Sequence, residues 1–138
     1  MKESVVISIP SHPKYLSLIR STTINFGKLY EIPEAEIENI KLAIDEACSN
    51  IIKHAYRGDA TKKIVVKYTI TKRLFKVVIE DSGIKAHIES MQGRSLDDIR
   101  PGGLGIHFIK RVFNGFRLDE HKKRGNRLIL TKNLSRKT

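Results

Sequence analysis

Cysteine occurs once in this 138-residue chain, proline four times, and long apolar runs not at all. Each scarcity closes a class. A lone Cys48 cannot build an internal disulfide framework and fits a reducing compartment. With one cysteine, and five histidines (12, 54, 87, 107 and 121) in no metal-ligand spacing, a zinc site is disfavoured. Crossing a bilayer takes roughly 20 consecutive apolar residues, and nothing here approaches that, so no membrane partner is expected. The first residues, Met1-Lys2-Glu3-Ser4, lack the apolar core and small-residue cleavage site of a signal peptide. A cytoplasmic location is the expectation. What is there is ordinary globular composition, 40% apolar and 30% charged, in one domain spanning 1–138.

One sign of charge dominates. Lysine and arginine number 26 against 15 acids, a net charge of +11, so nucleic-acid binding has to be weighed. Basic residues thicken near the end, from Lys110 through Lys137, yet they are spread over strand and turn patterns. No recognition-helix pattern and no aromatic-basic platform accompanies them. A solvated basic face, or one that meets an acidic protein, fits better than direct contact with nucleic acid.

Periodicity gives the elements. Val5, Ile7 and Ile9 alternate in a first strand ended by Pro10 and Pro13. Tyr15, Leu18, Ile19, Phe26 and Leu29 recur at helical spacing up to about Tyr30. Pro33 opens a second helix, with Glu34, Glu36 and Glu38 where a helix N-terminus favours acids. Its buried face takes 37, 40, 44, 47, 48, 51, 52 and 55, which makes Cys48 a packed thiol rather than a nucleophile. It ends before Gly58-Asp59. Residues 64–70 and 75–79 alternate about a turn at Thr71-Lys72-Arg73. The stretch 84–101 has weak periodicity and the length of a binding loop. A helix from about Leu104 to Phe113 and a hairpin formed by 115–121 and 126–133 complete the chain. The sum is an α/β chain of the α+β kind. It forms a two-layer sandwich, a mainly antiparallel sheet covered on one face by helices.

Three segments could carry chemistry. Glu46 and Asn50 stand four apart on the second helix and project from one side, with Lys53 and His54 extending that side. The Asn50 amide oxygen could ligate Mg²⁺, and Glu46 could take a proton from a hydroxyl attacking a γ-phosphate. A surface Glu–Asn pair is the plainer alternative. Asp81 follows an apolar strand where it meets the surface. Its carboxylate could accept the exocyclic amine of adenine, with Gly83 letting backbone approach the base. An Asp-Ser-Gly turn ending a strand explains the same letters. Gly102-Gly103-Leu104-Gly105 opens a helix and offers N–H groups to phosphate, with Arg100 just before it. It lacks the Gly-Lys-Ser/Thr of a P-loop and the preceding parallel strand of a dinucleotide fold. A flexible loop entering a helix remains open.

The joint order is more specific than any one segment. Leu42-Ala43-Ile44-Asp45-Glu46-Ala47-Cys48-Ser49-Asn50-Ile51-Ile52-Lys53-His54-Ala55-Tyr56 resembles the N box of the ATPases shared by gyrase, Hsp90, histidine kinases and MutL. Val78-Ile79-Glu80-Asp81-Ser82-Gly83 and Arg100-Pro101-Gly102-Gly103-Leu104-Gly105-Ile106 resemble their two glycine boxes. Over nearly its whole length the chain most resembles the bacterial anti-sigma-factor serine/threonine kinases. That resemblance implies a Bergerat-type fold, ATP and Mg²⁺ as ligands, and an ATP lid at about 84–101. It implies Glu46 as general base, Asn50 as metal ligand and Asp81 as adenine anchor, with Gly103, Gly105 and Arg100 on the phosphates. It implies an anti-anti-sigma (STAS-like) acceptor, a sigma factor held inactive, and a homodimer. A non-phosphorylating switch that sequesters its partner is the alternative. The chain departs from the family pattern twice. Ile84-Lys85-Ala86 stands where a further glycine is usual, and Gly125-Asn126-Arg127 where Gly-Thr is common.

Overall fold

The computed structural model describes residues 3–86 and 103–134, with backbone only at 103 and 104. Five strands form one antiparallel sheet: β1 (Glu3–Pro10), β2 (Lys63–Thr71), β3 (Leu74–Asp81), β4 (Gly115–Leu118) and β5 (Asn126–Asn133). Their spatial order is β1-β2-β3-β5-β4. Among the described residues, three α-helices accompany them, α1 (Leu16–Leu29), α2 (Glu34–Asn50) and α3 (Gly103–Val112).

The period-two pattern decides which side of the sheet is covered. Ile64, Val66, Tyr68 and Ile70 on β2 are buried, as are Phe75, Val77 and Ile79 on β3 and Leu128 and Leu130 on β5. They meet Ile19 and Phe26 of α1, Ile40, Ile44 and Cys48 of α2, and Ile109 of α3 in one core. Each such side chain contributes about 1.5–3 kcal/mol on burial. Cys48 is fully buried, and desolvation raises its thiol far above the ordinary cysteine range, so it packs rather than reacts. On the alternate parity Lys67 and Thr71 are exposed, while Thr69 between them is buried.

The expected order of elements is the observed one. Three boundaries differ, the simplest being β4, which ends at Leu118 where a strand over 115–121 was expected. A 3₁₀ turn (Pro13–Tyr15) precedes α1, with His12 Nδ1 accepting from the Lys14 N–H at 3.1 Å. The second helix stops being α-helical at Asn50 and continues as a π turn over Ile51–Ala55. There the Tyr56 N–H reaches back five residues to the Ile51 carbonyl at 2.9 Å.

Candidate nucleotide site

Three elements converge at one end of the sandwich. Glu46 and Asn50 lie in the last turns of α2, both half-buried. Next to Glu46, Asp45 pairs with Arg20 of α1 at 2.7 Å, which fixes α2 against α1 and commits the neighbouring carboxylate elsewhere. Glu46 turns toward α3. Its carboxylate lies where a Cβ at Gly105 would be, so any larger residue at this position would push Glu46 aside. The acid of α2 is therefore seated at the first turn of α3, where exposed N–H groups and the helix dipole favour negative charge.

The end of β3 supplies the opposite wall. Asp81 shares the parity of Phe75, Val77 and Ile79, so it faces the helix layer and is only 5% exposed. The expectation of a carboxylate at the surface is corrected here: period two turns it inward. The carboxylate is held by the Gly83 N–H at 2.8 Å and by the Asn126 amide of β5 at 3.0 and 3.2 Å. Burial pushes the Asp81 carboxyl above the ordinary aspartate range. The Gly83 and Asn126 donors and the charge of Lys122 pull against that without cancelling it.

Gly83 joins the two walls. A Cβ there would strike the Ala55 carbonyl at the end of the π turn, and the Ile84 N–H donates to that same oxygen at 2.8 Å. The Tyr56 hydroxyl accepts from the Ser82 N–H at 2.7 Å. Glu46, Asn50 and the π turn thus form one row running from Gly105 at one end to Gly83 at the other.

Such a row between a helix N-terminus and a buried strand-end carboxylate suits a phosphorylated purine. The sequence profile of the histidine kinase-like ATPase domain matches residues 9–132. The chain belongs to this family. An ATPase domain uses ATP. Among curated relatives, the serine-protein kinase RsbW of Bacillus subtilis is 24% identical over 139 residues, covering 95% of this chain and 86% of the relative. RsbW of Listeria monocytogenes is 26% identical over 145 residues, covering 99% and 91%. A crystal structure of RsbU and RsbW domains from Mycobacterium tuberculosis superposes on 99% of this chain with a TM-score of 0.72 at 18% identity. This chain spans 34% of that longer one, and the likeness shows the shared fold.

Within this histidine kinase-like ATPase fold, the expected residues fall into three groups. Glu46, Asn50, Asp81, Gly83 and Gly105 lie along the row just described, and Gly103 begins α3. Arg100 and Gly102 lie outside the described residues, as does the expected loop beyond Ala86, and Leu104 is described by its backbone alone. Lys53 and His54 were both expected to extend this side by α-helical spacing, and that spacing ends at Asn50. A π turn adds the equivalent of one residue, so the position returning to the row moves from Lys53 to His54. Asn126 is the residue that motif reading passed over as a mere departure. Its signal was parity, since it sits two residues before Leu128 and four before Leu130, on the buried face of β5.

Proposed function

We propose that this chain is an ATP-dependent serine/threonine protein kinase of the anti-sigma type. Its acceptor is an anti-anti-sigma (STAS-like) protein, and its alternative partner is a sigma factor that it holds inactive. It works as a homodimer. The names of the RsbW relatives over nearly the full chain support the activity, and the observation that carries the mechanism is the seat of Glu46.

On this reading Asp81 takes the adenine amine, and the backbone of Gly83 lies along the base. The first turn of α3, from Gly103 through Leu104 to Gly105, receives the phosphates on its N–H groups. Arg100 and Gly102, which precede that turn in sequence, are assigned to the same phosphates. Asn50 offers an amide oxygen, a hard neutral donor that fits Mg²⁺ together with phosphate oxygens. The ion, when bound, offsets phosphate charge. The acceptor hydroxyl oxygen attacks the γ-phosphorus, its proton passes to Glu46, and the β–γ bridging bond breaks to release ADP. Asp45 cannot substitute as base, since Arg20 holds its carboxylate.

Glu46→Gln tests this directly, because it keeps the shape of the side chain and removes its basicity. Transfer of labelled γ-phosphate to an acceptor protein should fall on the order of 10²–10⁴-fold, while ATP affinity measured by calorimetry stays near wild type. Wild-type transfer by the variant refutes Glu46 as base. If wild type and variant both bind ATP and a partner yet neither labels any acceptor, the sequestering switch replaces the kinase.

A further inference from the structure

We propose that Asn126 is a specificity-determining residue that locks Asp81 as a hydrogen-bond acceptor, so that the site takes a 6-amino purine and rejects a 6-oxo purine. The inference rests on the reading of Asp81 as the base anchor and adds what sets its polarity.

Asn126 opens β5 directly opposite Asp81, both face the helix layer, and Asn126 is 7% exposed. Its four polar contacts are all within the chain. Oδ1 accepts from the Ala86 N–H at 2.7 Å. Nδ2 faces both Asp81 oxygens, at 3.0 and 3.2 Å, and the Ile84 carbonyl at 3.0 Å. Two of these partners cannot change character. A backbone N–H only donates and a backbone C=O only accepts. Together they fix which end of the amide is which, because a flipped amide would set N–H against N–H and oxygen against oxygen. The end presented to Asp81 is therefore always a donor, and Asp81 is always the acceptor. The Gly83 N–H, at 2.8 Å from Oδ1, enforces the same polarity from the other side.

The acceptor role has a consequence for the ligand. Oδ1 already receives Gly83 and the nearer Asn126 contact, while Oδ2 has only the longer share of one amide. A carboxylate oxygen has room for more than one donor, so Oδ2 can take the N–H of a 6-amino group. A 6-oxo group would place its lone pairs against those of the carboxylate, in a site where burial magnifies the mismatch.

The two places where this chain departs from the family pattern are thus one unit. Asn126 contacts the backbone of Ile84 and Ala86, the segment that replaces the usual glycine. A hydroxyl at 126 has a single proton to donate and cannot serve both Asp81 and Ile84. The asparagine amide has two.

The test compares binding of Mg-ATP and Mg-ITP, which differ at the 6-position and in the proton that the 6-oxo base carries on N1, to the full chain by titration calorimetry. Wild type should prefer ATP by about 10- to 100-fold, the range of one hydrogen bond to a charged group. Asn126→Asp is isosteric and sets two carboxylates together, so that one proton is shared between them. ATP should weaken, ITP should strengthen, and the ratio should close to within about threefold. Asn126→Ser, checked for native circular dichroism, should lower the ratio in the same direction if the aspartate variant does not fold. A folded variant with the wild-type ratio overturns the role of Asn126 and leaves the anchor reading standing. A wild type that binds ATP and ITP equally overturns the anchor reading itself, and this inference with it.

Discussion

Replacing Gly105 by alanine separates the stability of this site from its chemistry, because only the chemistry should suffer. Glycine within a helix is less favourable than alanine by about 0.8–1.0 kcal/mol, so the change favours α3. The added Cβ, however, would overlap Oε1, Cδ and Cγ of Glu46. Those atoms are the free end of a flexible side chain, so Glu46 can swing aside at a cost of about 0.5–1.5 kcal/mol for a strained rotamer. The two terms nearly cancel. Thermal unfolding should therefore move by no more than about 4 °C. Catalysis has no such compensation, since displacing a catalytic group by about 1 Å costs on the order of 10²-fold. Single-turnover phosphoryl transfer at saturating ATP should drop by at least that factor. The double variant with Glu46→Gln should be little worse than Glu46→Gln alone, because both act on the same carboxylate. Transfer within about threefold of wild type in a folded Gly105→Ala protein would refute the proposed seat of Glu46.

The other predictions concern titration and register. ATP affinity should fall on acidification with a midpoint above about 3.9, the ordinary aspartate value, because burial raises the Asp81 carboxyl and only its charged form accepts the amine. Asp81→Asn should abolish that limb, and an identical pH profile in the variant would contradict it. The sign for stability is the reverse of the usual carboxylate. A folded-state value above the unfolded one gives a contribution present at low pH and lost as pH rises through it. From the π turn, His54→Ala should weaken ATP binding more than Lys53→Ala does, and the opposite order in equilibrium titrations would restore simple α-helical spacing.

How far the letters alone reach can be judged from four residues. Glu46 and Asn50 were legible because α-helical spacing up to Asn50 carries them to one side, and local rules suffice within a single helix. Asp81 was half legible. The motif marked it, but its burial follows from strand parity, which Phe75, Val77 and Ile79 had already announced and which the Asp-Ser-Gly turn signal masked. Asn126 was visible only as a mismatch, because its meaning depends on a partner 45 residues away across the β3–β5 ladder. The π turn was hidden for another reason. Ile51-Ile52-Lys53-His54-Ala55 has a composition any α-helix accepts, and what fits its geometry is the contact of Ala55 with Gly83 and Ile84. The pattern is physical rather than accidental. Chemistry carried along one element is written in its spacing, whereas chemistry completed between elements waits for the register and close approaches that packing decides. In this site the first kind supplies the proposed base and metal ligand, and the second the proposed preference for a 6-amino over a 6-oxo purine edge.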